Sequence, residues 1–589
     1  LVEIMSERLR RPDRPEDAPC GCAALGRSCL RRLLASQAWA LWEIPLARDG
    51  EGGLLGQIRV GGGKTLLNIL APMVLPGCRV AVLLVPPGLV GQLELEYLAA
   101  AEHFRVPSLV LPGARGGYII EGRPILRVVP YSQFQVKGST RLLEDFMPDS
   151  VIADEVDALK NPESTRTGRV LRYFEANPAA RFCGWSGTIA SRSILDFAHL
   201  ILLALRGRSP LPIDPEQIRA WASAVDPSDF PAPAGVLRAF GVPVVEGLGR
   251  RVRETFGFVS TGANAKVPAK PVLREWAVPR LPEALATMRR DLRSTWTRPD
   301  GEELVRAVEV ERAAQQLALG FYYRWRFPGN PSDAVKREWF EARRAYGRAM
   351  REVLMNPRPH LDSKYLATLA AERAERGSCS CGATFTVKAG RVEMHTTPSG
   401  KACEYPAWRC PAWVTWRDVK DTLPHTTEAV WVDETLARLA GEWASTRKAL
   451  VWYEDRAFGE KVAKVSGLPL HAGGPTAEAE ILAERGDRSL VVSVGAHGRG
   501  RDGLQRVFAE ELIVAPQPDA RGWEQLLGRL NRQGQTTPEV ITYVARYVPE
   551  FRDSIDRAVR VAKWTEGLMT SAQILLAADV EWLNAQNAR

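Results

Sequence analysis

Gly61-Gly62-Gly63-Lys64-Thr65 stands between an apolar segment and the helix-prone run Leu66-Leu67-Asn68-Ile69-Leu70, and its reading decides that of the whole chain. A glycine-rich turn entering a helix presents unpaired backbone N–H groups and the positive end of the helix dipole to an anion. Lys64 adds a compact cation, and the Thr65 hydroxyl can hold Mg²⁺. The full pattern G-x-x-x-x-G-K-[ST] is not met, because Ile58 occupies the place of its first glycine. Taken alone, the stretch fits a solvated surface turn as well, so its meaning depends on the rest of the chain.

Downstream, apolar runs alternate with helical patterns. Arg79–Val85, Leu126–Val129 and Ser150–Ala153 read as strands covered on both faces, and Arg181–Trp185 as a fourth. Alternation of this kind predicts an α/β domain with ligand chemistry at the strand C-termini. Asp154-Glu155-Val156-Asp157 directly follows the third strand, which puts its carboxylates on the same edge as the glycine-lysine loop. Asp154 can hold Mg²⁺ through water, and Glu155 can orient and deprotonate an attacking water. Strand patterns return at Ala449–Tyr453, Ser489–Ser493, Glu511–Val514 and Val540–Val544. Within this second α/β segment lies Gln525-Leu526-Leu527-Gly528-Arg529-Leu530-Asn531-Arg532-Gln533-Gly534-Gln535. Arg529 and Arg532 are three apart, so one helix would project both from one face toward a phosphate.

Composition bounds these readings. A chain of 589 residues exceeds a single core and suggests roughly three or four domains. No run of 18 apolar residues suggests a membrane span, and the charged N-terminus lacks a signal-peptide core. Nine cysteines in this length do not make a disulfide scaffold, which points to a reducing cytoplasm. A net charge of +9 favours a polyanionic partner. Residues 1–29 read as a loose leader broken by Pro12, Pro15 and Pro19, with Cys20, Cys22 and Cys29 as incidental thiols. Residues 206–430 read as a helical insertion, including Leu281–Thr297, Glu302–Trp325 and Asp333–Leu354; its run Tyr322–Phe327 interleaves rings and arginines. That interleaving suits nucleic acid or internal packing equally. Within 377–413, Cys379, Cys381, Cys403 and Cys410 can close a tetrahedral Zn²⁺ site, with His395 as a substitute ligand. The tail 551–589 reads as mostly helix.

The ordered set Gln37, Gly61–Thr65, Pro86–Gln92, Asp154–Asp157, Ser186–Thr188, Ser493–Asp502 and Gln525–Gln535 resembles superfamily 2 helicases. The ending Arg-x-x-Arg-x-Gly-Gln looks most like the Swi/Snf-type DNA translocases. The resemblance spans roughly residues 30–205 and 430–548, within a first lobe over 30–205 and a second over 431–550. It implies two RecA-like lobes, with ATP and Mg²⁺ on the first and arginines donated by the second. On that resemblance Gln37 reads adenine, and Gly61, Gly62, Gly63, Lys64 and Thr65 take phosphate and Mg²⁺. Asp154 and Glu155 are the magnesium and water residues. Gln525, Arg529 and Arg532 belong to the arginine motif. Ser186, Gly187 and Thr188 couple hydrolysis to strand movement. Pro86, Pro87, Tyr131, Ser132 and Ser493 fall at nucleic-acid contacts, while Gly500 and Asp502 lie between ATP and DNA.

Departures are Asp157 for a histidine, Ile189 for a proline, and His497, Arg499 and Arg501 for smaller residues. Gln316–Tyr322 resembles a helix of compact phage and prophage members, which would set the protein in the cytoplasm of a bacterial or phage-infected cell. The expected partner is duplex or branched DNA; RNA, or a non-catalytic clamp on nucleic acid, are the alternatives.

Overall fold

The apolar runs pair into two parallel sheets, as a computed structural model shows. The structure describes residues 1–589 apart from 26–28, 47–52, 59–61, 114–115, 136–138, 140, 163, 188, 191, 228–234, 242, 261–268, 356–363, 376–386, 389–390, 393–407, 475, 485, 499–502, 571 and 583–589.

The first lobe holds strands β1 (Leu54–Gln57), β2 (Val80–Val85), β3 (Ser108–Val110), β4 (Gly117–Tyr118), β5 (Ile125–Pro130), β6 (Ser150–Asp154), β7 (Arg181–Ser186) and β8 (Phe258–Ser260). They pair in the order β4-β3-β5-β2-β6-β7-β1-β8. Within this sheet, only the β3–β4 pair is antiparallel among the described strands. Register aligns Asp154 with Trp185 and Gln57 with Ser186, so β6, β7 and β1 end side by side. Apolar clusters cover both faces, as the near-continuous hydrophobic strands require.

The N-terminal segment is folded, contrary to the loose-leader reading. Helix α1 (Val2–Leu9) buries Met5 and Leu9 in the first lobe beside Leu33. The three prolines all lie beyond α1, so they end it without disrupting it. Three more helices frame the strand ends: α2 (Ala35–Glu43), α3 (Lys64–Val74) and α4 (Val90–Ala101).

The second lobe draws in a strand from well upstream. Strand β9 (Lys270–Trp276) runs parallel beside β18 (Glu539–Ala545). The intervening segment supplies β10 (Phe321–Arg326), the short β11 (Val387–Lys388) and β12 (Arg391–Val392), and β13 (Thr426–Trp431). Then come β14 (Ala449–Tyr453), β15 (Leu470–His471), β16 (Leu490–Ser493), β17 (Glu510–Ile513), β18 and β19 (Asp579–Val580). Their sheet order is β15-β16-β14-β17-β18-β9-β19, parallel throughout. The fold class is therefore α/β with two parallel-sheet lobes, as expected.

The insertion is shorter than its expected span of 206–430. Helices Pro215–Val225 and Val244–Glu254 bury Ile218, Ala222, Leu248 and Val252 in the first lobe's core, and β8 edges its sheet. What lies between β9 and β14 includes three long helices, Glu283–Thr295, Ala307–Ala318 and Asp333–Met355. The expected helix over Glu302–Trp325 stops at Ala318, because Gly320 at φ 97 turns the chain into β10. Its rings and arginines are partly consumed internally: Arg324 pairs with Glu428, and Arg343 stacks over Trp325 at 4.5 Å. Packing thus accounts for these members of the ring-and-arginine run.

Helix Pro549–Met569 belongs to both lobes. Ile555, Ala558 and Ala562 sit in the second core, whereas Trp564, Leu568 and Met569 sit in the first. Trp564 donates to the Val225 carbonyl at 2.7 Å, and Arg253 to the Leu568 carbonyl at 2.7 Å. No helix among the described residues is long and apolar enough to cross a membrane.

Candidate active site at the strand ends

Three adjacent strand ends of the first sheet bring the sequence motifs together. Gly61 lies outside the described residues, but Gly62 and Gly63 lead into α3. Gly63 caps that helix at φ 73, where a Cβ would strike Gln37 Nε2 at 2.0 Å. Glycine is needed there for its conformation and for the close approach. The buried Gln37 amide donates to the Gly63 carbonyl at 2.9 Å and accepts from the Leu34 N–H at 2.7 Å. In this arrangement Gln37 fixes the turn to α2. Lys64 reaches Glu155 Oε1 at 2.6 Å, and Thr65 stands beside it in the first turn, half-buried.

Asp154 ends β6 and Glu155 follows at φ 49, a left-handed conformation that costs a side chain about 1–3 kcal/mol. The strained turn aims both carboxylates toward α3. Asp154 Oδ1 is buried and has no hydrogen-bond partner among the described residues. Burial first, then the neighbouring Glu155, push the Asp154 carboxyl up to about 6. Burial also acts to raise Glu155, but the charge and hydrogen bond of Lys64 and the Ser186 hydroxyl outweigh it, leaving the group below the usual range. Ser186 Oγ, at the end of β7, stands 2.9 Å from Glu155 Oε2 and 2.8 Å from Asp157 Oδ1. Gly187 follows it, and Thr188 lies outside the described residues.

Tyr131 is not on the surface expected for a nucleic-acid contact. Its ring is buried in the first core and its hydroxyl donates to the Asp154 carbonyl at 2.8 Å. It braces the acidic turn. Ser132 and Pro87 are exposed and Pro86 half-buried at the same edge of the sheet. Ser493 ends β16, its hydroxyl capping the short helix that follows; Gly500 and Asp502 lie outside the described residues.

Across from the acidic turn stands helix Ala520–Leu530 of the second lobe, capped by the Asp519 carboxylate, which accepts from the Gly522 N–H at 2.8 Å. It ends at Leu530, so Arg532 lies beyond it and the expected shared helical face of Arg529 and Arg532 does not exist. Arg529 is buried within its own lobe, where its charge acts on Glu511, and its Nε donates to the Gln525 carbonyl at 3.1 Å. Arg532 is half-buried in the following turn.

An arginine that does cross to the first lobe is Arg521, which forms an ion pair with Asp157. Both groups are buried, and burial pulls the guanidinium below its ordinary range while Glu155 opposes that shift. Sequence reasoning missed Arg521, although Arg521, Gln525 and Arg529 recur every four residues and so form one helical stripe.

Of the expected zinc ligands, Cys379, Cys381 and Cys403, with the substitute His395, lie outside the described residues. Cys410 is a free thiol buried at the start of helix Pro411–Val419, among Tyr346, Trp413 and Trp416.

No family model matches the sequence, and no curated protein matches it. Among solved structures, the Sulfolobus solfataricus SWI2/SNF2 ATPase core in complex with dsDNA is similar at 11% identity and a TM-score of 0.32, covering 87% of this chain and 87% of that one. No residue's role rests on that likeness.

Proposed function

We propose that this chain is an ATP-dependent DNA translocase or helicase that couples ATP hydrolysis to movement on, or remodelling of, DNA. The observation that carries the reading is the meeting of Lys64, Asp154 and Glu155 at one sheet edge, faced by an arginine-bearing helix of the second lobe. The donor set suits the ligand. A helix N-terminus with Lys64 suits phosphate, while the Thr65 hydroxyl and the unsatisfied Asp154 Oδ1 suit the water shell of Mg²⁺. When bound, Mg²⁺ would supply charge neutralisation at the phosphates.

The chain's own residues then divide the work. Lys64 exchanges Glu155 for phosphate oxygens, which frees that carboxylate to hold and deprotonate a water. Glu155 starts as the ionised base, since Lys64 and Ser186 hold its proton affinity down. Ser186 bridges Glu155 and Asp157, and Asp157 bridges to Arg521, so the state of the base is linked to the second lobe by adjacent contacts. Arg532, beyond the helix end, is assigned the transition-state role, and Arg529 a supporting one. Exposed Ser132 and Pro87 at the same edge are assigned to the DNA backbone. ATPase rates compared across single-stranded, duplex and forked DNA and RNA test the proposal. Stimulation by RNA alone would make the motor an RNA helicase, and no hydrolysis under any condition would leave a binding clamp.

A further inference from the structure

The three thiols of the N-terminal segment converge on one histidine. Cys22 Sγ lies 3.3 Å and Cys29 Sγ 3.2 Å from His103 Nε2, and Cys20 Sγ lies 3.5 Å from Cys29 Sγ. One donor atom from each of the four residues falls within 4.8 Å of all the others. Tetrahedral zinc with Zn–S of about 2.3 Å and Zn–N of about 2.0–2.1 Å sets its ligand atoms about 3.5–3.8 Å apart. The three short separations lie within a few tenths of an ångström of that size, the others lie within 4.8 Å, and all exceed a disulfide bond; all three cysteines are free.

We propose that Cys20, Cys22, Cys29 and His103 form a structural Zn²⁺ site that fastens the N-terminal segment to the end of α4. Three thiolates and one imidazole suit a borderline-soft divalent ion, and four protein ligands leave no open position for catalysis. Binding releases the three thiol protons to solvent and leaves a net charge of −1 on the centre. A counter-ion is in place: Arg31 Nε lies 3.3 Å from Cys29 Sγ.

The backbone around the ligands is held as well. Gly21 N–H and Arg14 both donate to Glu102, beside His103, at 2.9 and 2.6 Å. The Arg11 N–H donates to the His103 carbonyl at 3.1 Å, and the Arg105 N–H to the Leu9 carbonyl at 2.7 Å. The ligands thus sit on a backbone that hydrogen bonds already set in place. His103 and Cys22 are nearly fully buried, which shields the centre on one side.

Elemental analysis of the full chain, purified without chelator, is the test. His103→Ala and Cys22→Ser should each lose about one equivalent of zinc, while Cys410→Ser and Cys379→Ser keep it. His103→Cys should retain the metal and guards against a variant that fails to fold. Blocking thiols in the unmutated protein with a mercurial should release the same equivalent to a chromogenic chelator. Two zincs per chain, one of them lost in His103→Ala, also supports the site. Absence of zinc, zinc lost only in Cys379→Ser, or a Cys20–Cys29 disulfide in protein prepared under reducing, zinc-replete conditions would each overturn it.

Discussion

Arg521 of the second lobe and Asp157 of the first form an ion pair across the cleft, both buried. Removing one partner strands the other charge, so Arg521→Ala should destabilise the docked lobes by about 3–5 kcal/mol. Joint replacement with Asp157→Asn should recover much of that. A double-mutant cycle on the denaturant midpoint measures the coupling, and additive single effects would rule the pair out as a latch.

For the phosphate site, Lys64→Ala and Glu155→Gln should each cut ATP turnover by orders of magnitude. Glu155→Gln should still bind nucleotide, because only the water-activating step is lost. Turnover assays paired with nucleotide-binding titrations separate the two effects. Near-normal hydrolysis in either variant defeats the assignment.

Arg529 and Arg532 should fail in different ways. Arg529 is packed inside its lobe, so Arg529→Ala should lower the melting temperature of the protein. Arg532→Ala should lose most DNA-stimulated hydrolysis, by roughly 10³-fold, and Arg532→Lys should restore little. Wild-type hydrolysis by Arg532→Ala in saturating DNA sinks that role.

Glu511 predicts a pH signature of the second lobe. Burial pushes its carboxyl up to about 7, against the bonds donated by Trp452 and Thr542 and the charge of Arg529. The folded state therefore holds this proton more tightly than the unfolded chain does, where a glutamate has its ordinary value of 4.5. This group's contribution is full below 4.5 and falls as pH rises through about 7. Melting curves should show Glu511→Gln gaining on the parent between pH 5 and 8. A pH-independent difference would contradict this.

The first lobe was legible because its signals are local. Unbroken apolar runs predict buried parallel strands, and Asp154-Glu155 immediately after one of them must emerge at its C-terminal end. What was not legible depends on partners far along the chain. Strand β9 carries charged and proline residues among its apolar ones, and only pairing with β18 and β19 makes it a strand. The ring-rich β10 resembles a helix continuation until Gly320 is seen to turn the chain. Cys22 and Cys29 look incidental because His103 is separated from them by 81 and 74 positions, a distance no spacing rule covers. The expected Arg529–Arg532 pairing assumed that the helix continues past Leu530, and Asn531 ends it.

The helix Pro549–Met569 restricts how the cleft can open. Its 21 residues make a rod of roughly 30 Å, with one end seated in each lobe. A shift of one lobe against the other must unseat one end of the rod; at the first lobe, rotation about its axis or sliding along it breaks the bonds from Trp564 to the Val225 carbonyl and from Arg253 to the Leu568 carbonyl. Tilting or splaying must bend the rod or extract Trp564 and Leu568 from the first core. Opening of the cleft therefore gives up burial or hydrogen bonds at one seat of the rod.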